Sequence, residues 1–254
     1  MWLTTPKEAW IWMISSKNIE VVSLQLPTKK RYKKNLDTLI KLIKESKDKK
    51  LIVSPEVFLT GYDYENISTA SKFSAKAIKI LKKLIDKQIL VITVIVDTKE
   101  GFVNQAIVIH KHKVVYRQNK AKLFKLGDEH LFLKAGNTDD IKPFEVDGVS
   151  FAILICFELR FKDLWKQIEG VDVVLIPARW GLPRKSHLEI LSNALAVMNQ
   201  SYVVVSNSSD KDMASSSAII SPFGEQIRDD NEIKIDGVID FKEIKKMRRY
   251  IVLD

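Results

Sequence analysis

The chain contains a single cysteine, Cys156, which closes the apolar run FAILIC. Glu56 follows another apolar run, LIVSP, and Lys120 and Glu129 lie in the long stretch after KVVYRQ. A thiol reacts as its thiolate, and an unperturbed cysteine is only a few per cent ionised at neutral pH, so Cys156 needs a neighbouring base or cation to act as a nucleophile. Carboxylates and an ammonium are such groups. Taken singly, each of the four has a plain structural reading: a cysteine filling a core, a glutamate capping a helix, a lysine in a lysine-rich chain. Position is what joins Glu56 and Cys156. Both stand where predicted strands stop, and in open α/β sheets ligands gather beyond the carboxyl ends of the strands, so the two are candidates to meet in one site. The four histidines, His110, His112, His130 and His187, show no ligand spacing and read as surface or packing residues, so no metal is expected.

The elements that must position these groups follow from hydrophobic periodicity. In the first half, IEVVSLQL (19–26) predicts a strand, residues 32–46 an amphipathic helix and LIVS (51–54) a short buried strand. A second helix over about 69–87 precedes the strands ILVITVIV, VNQAIVIH and KVVYRQ. The second half repeats the order: FAILIC (151–156) as strand, 161–169 as helix, VDVVLIP as strand, 184–199 as helix, then YVVVSN, SSSAIIS and KIDGVID as strands. Unbroken Val/Ile/Leu runs indicate strands covered on both faces, whereas a sheet with one wet face alternates. Two sheets packed face to face, each covered outside by its own helices, bury both halves. The expected fold is therefore a four-layer αββα sandwich.

Composition bounds the function classes. With 254 residues, 46% hydrophobic and 29% charged, and with nine glycines and seven prolines, the chain is globular rather than disordered or repetitive. One cysteine excludes an internal disulfide framework and points to a reducing compartment, the cytoplasm. No apolar run is long enough for a membrane-spanning helix. Residues 1–18 lack the features of a secretory signal and are expected to form an N-terminal extension, leaving 19–254 as one domain. Of the net charge of +9, residues 28–50 carry seven, with ten basic side chains against Asp37, Glu45 and Asp48. Leu36, Leu39, Ile40 and Ile43 fall at helical spacing there, so the lysines read as a solvated helix face rather than a nucleic-acid footprint.

PEVFLTGY, NKAKLF followed by EHLFLKAG, and CFELRF occur in that order. On these stretches the sequence resembles the nitrilase superfamily, the carbon–nitrogen hydrolases, with Pro55 to Tyr62, Lys120 to Phe124 and Cys156 to Phe161 carrying the likeness. The similarity continues through VVLIPARW, AVMNQSYVV and ISPFGE, and so covers about Ile19 to Phe241. The resemblance implies Glu56 as general base, Lys120 as oxyanion stabiliser, Cys156 as nucleophile and Glu129 as an additional glutamate orienting Lys120 or the substrate. Lys122 and Lys125 are rivals for the lysine role; Lys120 is preferred because it stands three residues before Leu123-Phe124. It further implies a Cys156 thioester, no cofactor, and assembly as at least a homodimer, across which Trp2, Trp10 and Trp12 of the extension are expected to pack.

Within the superfamily the sequence is most similar to amidases of small substrates, especially the ω-amidase-like branch acting on 2-oxoacid amides, through Gly127, Asp128, Glu129 and His130. Phe157, through its backbone N–H, then completes the oxyanion site, Phe124 and Trp180 wall the pocket, and Arg179 reads either as the ligand of a substrate carboxylate or as half of a structural ion pair. The chain departs from the branch at Arg179, where Asn is common, at Met198, where Glu is common, and in SSDKDMASSS. A nitrilase, an N-carbamoyl amine hydrolase or an amide-exchanging acyltransferase would keep the same four residues. A rival of another class is a non-catalytic binding protein that holds an anionic partner on the basic helix.

Overall fold

Strands that are apolar on both faces need cover on both faces, and the computed structural model, which describes residues 18–253, provides it in four layers. The expectations for residues 1–17, including the three tryptophans, lie outside the described residues. One sheet has the order β12-β1-β2-β3-β4-β5, built from β1 (Ile19–Leu24), β2 (Leu51–Val53), β3 (Ile89–Thr98), β4 (Gly101–His110), β5 (Lys113–Asn119) and β12 (Lys234–Ile239). The other has the order β11-β10-β9-β8-β7-β6, from β6 (Phe144–Val146), β7 (Val149–Ile153), β8 (Val173–Ala178), β9 (Tyr202–Asn207), β10 (Ala218–Ile220) and β11 (Gln226–Arg228). The centre of each sheet is parallel, β1-β2-β3 and β7-β8-β9, and its flanks are antiparallel.

Alternation sorts the side chains. In β1 and β3, Val21, Ile89 and Val91 face the other sheet, while Val22, Leu90, Ile92 and Val94 face outward onto α1 (Tyr32–Glu45) and α2 (Ile67–Leu84). Leu36, Leu39, Leu42 and Ile43 form the buried stripe of α1, and its lysines point to solvent, as the periodicity predicts. The short α3 (Glu129–Phe132) lies in the loop after β5, and α4 (Lys162–Gln167) follows β7. α5 (Lys185–Met198) covers the second sheet with Leu188, Leu195 and Ala196. Between the sheets, Ser23 donates to the carbonyl of Val205 and Ser206 to that of Leu24, so β1 and β9 approach closely at their small residues. Among the described residues no helix is long and apolar enough to cross a membrane.

Three differences from the sequence reading bear on the site. β7 ends at Ile153, so Cys156 does not close a strand: it opens a 3-10 turn, Cys156–Arg160. The cause is Glu158, whose carboxylate accepts the backbone N–H of Ile155 at 2.7 Å and so takes the chain out of the ladder. The last strand, β12, returns to the first sheet beside β1 instead of finishing the second. A helix not predicted from the sequence, α6 (Phe241–Tyr250), follows it, capped by Asp240 and buried through Phe241, Ile244 and Met247.

Candidate active site

The carboxyl ends of β2, β5, β7 and β8 meet, and their loops carry the four side chains. Glu56 lies three residues beyond β2, with its N–H bonded to the carbonyl of Ala178 at 3.1 Å, which ties it to the end of β8 in the other sheet. The next residue, Val57, has φ of +48°, and Cys156 has φ of +50°. Left-handed backbone at non-glycine residues is strained and persists where surrounding structure holds it. Here one strained residue directly follows the acid and the other is the cysteine itself, and the Glu56 charge acts on the Cys156 thiol.

Lys120, which directly follows β5, is fully buried, and its Nζ donates to Glu56 Oε1 at 2.8 Å and to Glu129 Oε1 at 2.7 Å. Burial alone would lower the pKa of this ammonium. The charges of Glu56, Cys156 and Glu129 outweigh that and hold it above its ordinary value. Lys122 instead lies with its Nζ 5.1 Å from the centre of the Phe161 ring, and Lys125 is exposed, so neither rival reaches the cluster. Burial raises the pKa of Glu129 even though Lys120 opposes the shift, and its Oε2 accepts the N–H of Phe124 at 3.0 Å, which fixes the loop between them.

Glu56 is held by three donors on one oxygen: Lys120, Asn104 Nδ2 at 2.9 Å and the Tyr62 hydroxyl at 2.7 Å all reach Oε1. Among the described residues nothing engages Oε2, which leaves that oxygen to take a proton. Burial pushes the Tyr62 phenol well above its usual range, with Glu56 adding to the shift, so the hydroxyl stays a donor. Cys156 is buried and its thiol is likewise pushed well up, by burial first and by the Glu56 charge second, while Lys120 and the N–H of Arg179 pull the other way. At rest the sulfur is a thiol beside a carboxylate.

Glu158 completes the frame. Fully buried, it accepts the N–H of Ala121 at 2.6 Å as well as that of Ile155, joining the Lys120 loop to the Cys156 turn. Burial raises its pKa to about 7, against the N–H donors and the Lys120 charge. Tyr62, Asn104 and Glu158 were not singled out from the sequence. The available signals were a polar residue inside the apolar strand VNQAIVIH and two polar positions within the motif stretches.

Cys156 faces a small pocket walled by Phe124, Phe157 and Trp180 and bordered by Arg160, Arg179, Gly181 and Arg184. Of the residues expected from the sequence, Phe124, Phe157, Arg179 and Trp180 line this pocket with Cys156, while Glu56, Lys120 and Glu129 form the buried cluster described above; Arg179 follows the ion-pair alternative, pairing with Asp210 at 2.7 Å and donating to Thr28 and Ser208. Such a constellation has the parts for acyl transfer: a nucleophile, a carboxylate with a free oxygen, and an ammonium in a dry setting. Among the described residues no group of three or more His, Cys, Asp or Glu side chains gathers as a metal site.

Comparison with known proteins agrees with this geometry. The carbon-nitrogen hydrolase family profile matches residues 20–249. The chain is 34% identical over 221 residues to the 2-oxoglutaramate amidase of Bacillus subtilis, covering 82% of this chain and 85% of that one. It is 30% identical over 183 residues to the omega-amidase YafV of Escherichia coli K12, covering 70% and 71%. A Xanthomonas campestris protein of the CN-hydrolase superfamily, crystallised with an arsenic adduct in its active site, shares the fold with a TM-score of 0.81 at 22% identity, over 92% of this chain and 95% of that one.

Proposed function

The chain belongs to the carbon–nitrogen hydrolase family, and on that premise we propose that it is an amidase cleaving the terminal amide of a small carboxylated substrate through a thioester on Cys156. The observation that carries this reading is the buried Lys120 held between Glu56 and Glu129, with its charge and theirs acting on the thiol of Cys156. Glu56, through its free Oε2, takes the thiol proton as sulfur attacks the amide carbon, because a thiolate is not stable there at rest. The charge that develops on the amide oxygen is met by the Lys120 ammonium, whose third contact is only a long one of 3.4 Å to the Tyr62 hydroxyl, and by the backbone N–H of Phe157. Protonated Glu56 then passes the proton to the leaving nitrogen, and ammonia departs. Water, activated by the restored Glu56 carboxylate, hydrolyses the thioester to the acid. Glu129 is a positioning residue, aligning Lys120 and the Phe124 wall at once.

Ammonia release from the monoamide of a short 2-oxo dicarboxylic acid tests this, against nitriles and N-carbamoyl amines of the same size. The reading expects the amide to lead by at least about tenfold in kcat/KM, and a nitrile or carbamoyl amine in first place would move the chain to another activity of the same fold. A free, reactive Cys156 also suits a reducing compartment, so we place the enzyme in the cytoplasm. The exposed Ile190, Val197 and Met198 of α5 and the nearby Phe223 support at least a homodimer through that face. Light scattering on the wild type and on a Met198→Glu, Ile190→Glu double variant checks this; the variant is expected to halve the mass.

A further inference from the structure

β8 and β9 end together, with Ala178 paired to Asn207. The ladder stops there, yet Trp180 is still buried, so its N–H and carbonyl need partners. Asn207, fully buried at the end of β9, supplies both. Its Oδ1 accepts the Trp180 N–H at 2.7 Å, and its Nδ2 donates to the Trp180 carbonyl at 3.3 Å. A side-chain amide carries an acceptor and donors in one plane, as a peptide unit does, so Asn207 continues the ladder where the backbone has turned away. Nδ2 also donates to the carbonyl of Ser215 at 2.7 Å, and the Ala214 N–H donates to the Trp180 carbonyl at 2.8 Å. Ser215 and Ser216 are both left-handed, with φ of +52° and +60°, a strain that persists where partners hold the backbone. The segment held in this way touches three parts of the site. The Ala178 carbonyl accepts the N–H of Glu56 at 3.1 Å and that of Ser208 at 3.3 Å. The Arg179 N–H is hydrogen-bonded to Cys156 and favours its ionised form. Trp180 walls the pocket, with its indole N–H bonded to the Arg184 carbonyl at 2.7 Å.

We propose that Asn207 is a positioning residue for the reaction at Cys156, fixing the peptide beyond β8 so that the Arg179 N–H stays on the sulfur and Trp180 stays in the pocket wall. The inference rests on the amidase reading and adds a residue to the machinery of that same site. Base, nucleophile and wall meet on three consecutive residues, and the Asn207 amide holds the third of them at both its polar groups. Without that amide the Trp180 peptide is free to rotate. The sulfur then loses the Arg179 donor while burial and the Glu56 charge still oppose its ionisation.

The test compares the wild type with Asn207→Ala, Asn207→Ser and Ser206→Ala in two measurements. Because the chain has one cysteine, alkylation by iodoacetamide at pH 8, followed by intact mass, reports on Cys156 alone. A fold that is merely loosened exposes the buried thiol and speeds alkylation. Loss of the Arg179 N–H works in the opposite sense: Asn207→Ala is expected to slow alkylation about tenfold, since the thiolate fraction falls tenfold for a rise of one in the thiol pKa. Asn207→Ser keeps a polar side chain too short to span the Trp180 N–H and carbonyl, and it serves if the alanine variant does not fold; it is expected to slow alkylation by about threefold. Ser206→Ala loses a buried bond to the Leu24 carbonyl from the same strand and is expected to alkylate at the wild-type rate. With glutaramic acid, kcat/KM is expected to fall roughly 10- to 100-fold in Asn207→Ala, with kcat lowered and KM raised, and to stay within about twofold in Ser206→Ala. Slower alkylation in the Asn207 variants, with no amide hydrolysed even by the wild type, sustains the role of Asn207 and overturns the amidase reading alone. Unchanged or faster alkylation in both Asn207 variants, or an equal loss of kcat/KM in Ser206→Ala, overturns the proposal.

Discussion

Two clusters of charge stand at opposite ends of β2, and they use nearly the same residue types to different effect. At the amino end, Asp147 accepts from Lys50 at 2.6 Å and from Lys111 at 2.7 Å, with His110 Nε2 at 3.1 Å, and all but His110 remain open to water. At the carboxyl end, Lys120 joins Glu56 and Glu129 with almost no exposure. In the first cluster the hydrogen bonds from Lys111 and Lys50 hold the Asp147 carboxyl well below its usual range, and the effect stays there. In the second, the thiol of Cys156, the phenol of Tyr62 and the carboxyls of Glu129 and Glu158 are all displaced upward, burial being the first cause of each. The lesson is that pairing alone makes a tie between sheets; pairing without water makes a reactive site.

Substitutions sharpen the contrast. The largest effect belongs to Cys156→Ala, expected to lower ammonia release by roughly 10,000-fold or more, since removal of a nucleophile leaves only binding and the oxyanion site. Next is Lys120→Met, with an expected loss of about 100- to 1,000-fold in kcat/KM. It leaves two carboxylates buried without their cation, so urea denaturation should also show a destabilisation of about 3 to 5 kcal/mol. At the other end, Asp147→Asn should change stability by less than about 1 kcal/mol, because an exposed pair is screened by solvent, and should leave kcat/KM as it is.

The two ends also respond to pH with opposite sign. Glu158 has a folded pKa raised to about 7, so the folded state binds the proton more tightly than the unfolded chain. Its contribution is complete below the ordinary carboxyl range and is lost as pH rises through about 7. Asp147 is lowered, so its contribution is present above the ordinary range and lost as pH falls toward its depressed value. Denaturation curves across pH are expected to flatten on the neutral side in Glu158→Gln and on the acid side in Asp147→Asn; the reverse pattern would break the comparison. Within the buried cluster the smallest expected effect is that of Tyr62→Phe, which removes one of three donors to Glu56 and should lower kcat by about tenfold with little change in KM.

How far the sequence reaches can be read from the same residues. Glu56 and Cys156 stood out because each follows an apolar run, Lys120 and Glu129 only because they lie in stretches that carry the family resemblance, and long strands such as β3 and β9 were legible from composition. Strands of three residues, β6 and β11, carry too little pattern to stand out. Asn104 was not singled out within the strand VNQAIVIH, yet it is buried and bonded to Glu56, 48 positions away. The partner of Arg179 in its ion pair, Asp210, was equally hidden, since the pair depends on a loop folding back over the end of β8. Periodicity reports which face of an element is apolar; it does not report which polar groups from distant elements will meet.

Intact-mass spectrometry of the enzyme, acid-quenched during the first turnovers with glutaramic acid, tests the central claim most directly. The account predicts a mass gain equal to the acyl portion of the substrate, on the peptide containing Cys156, appearing with one equivalent of ammonia and absent from Cys156→Ala. Ammonia released at the full rate by Cys156→Ala, with no acyl mass on either protein, would contradict it.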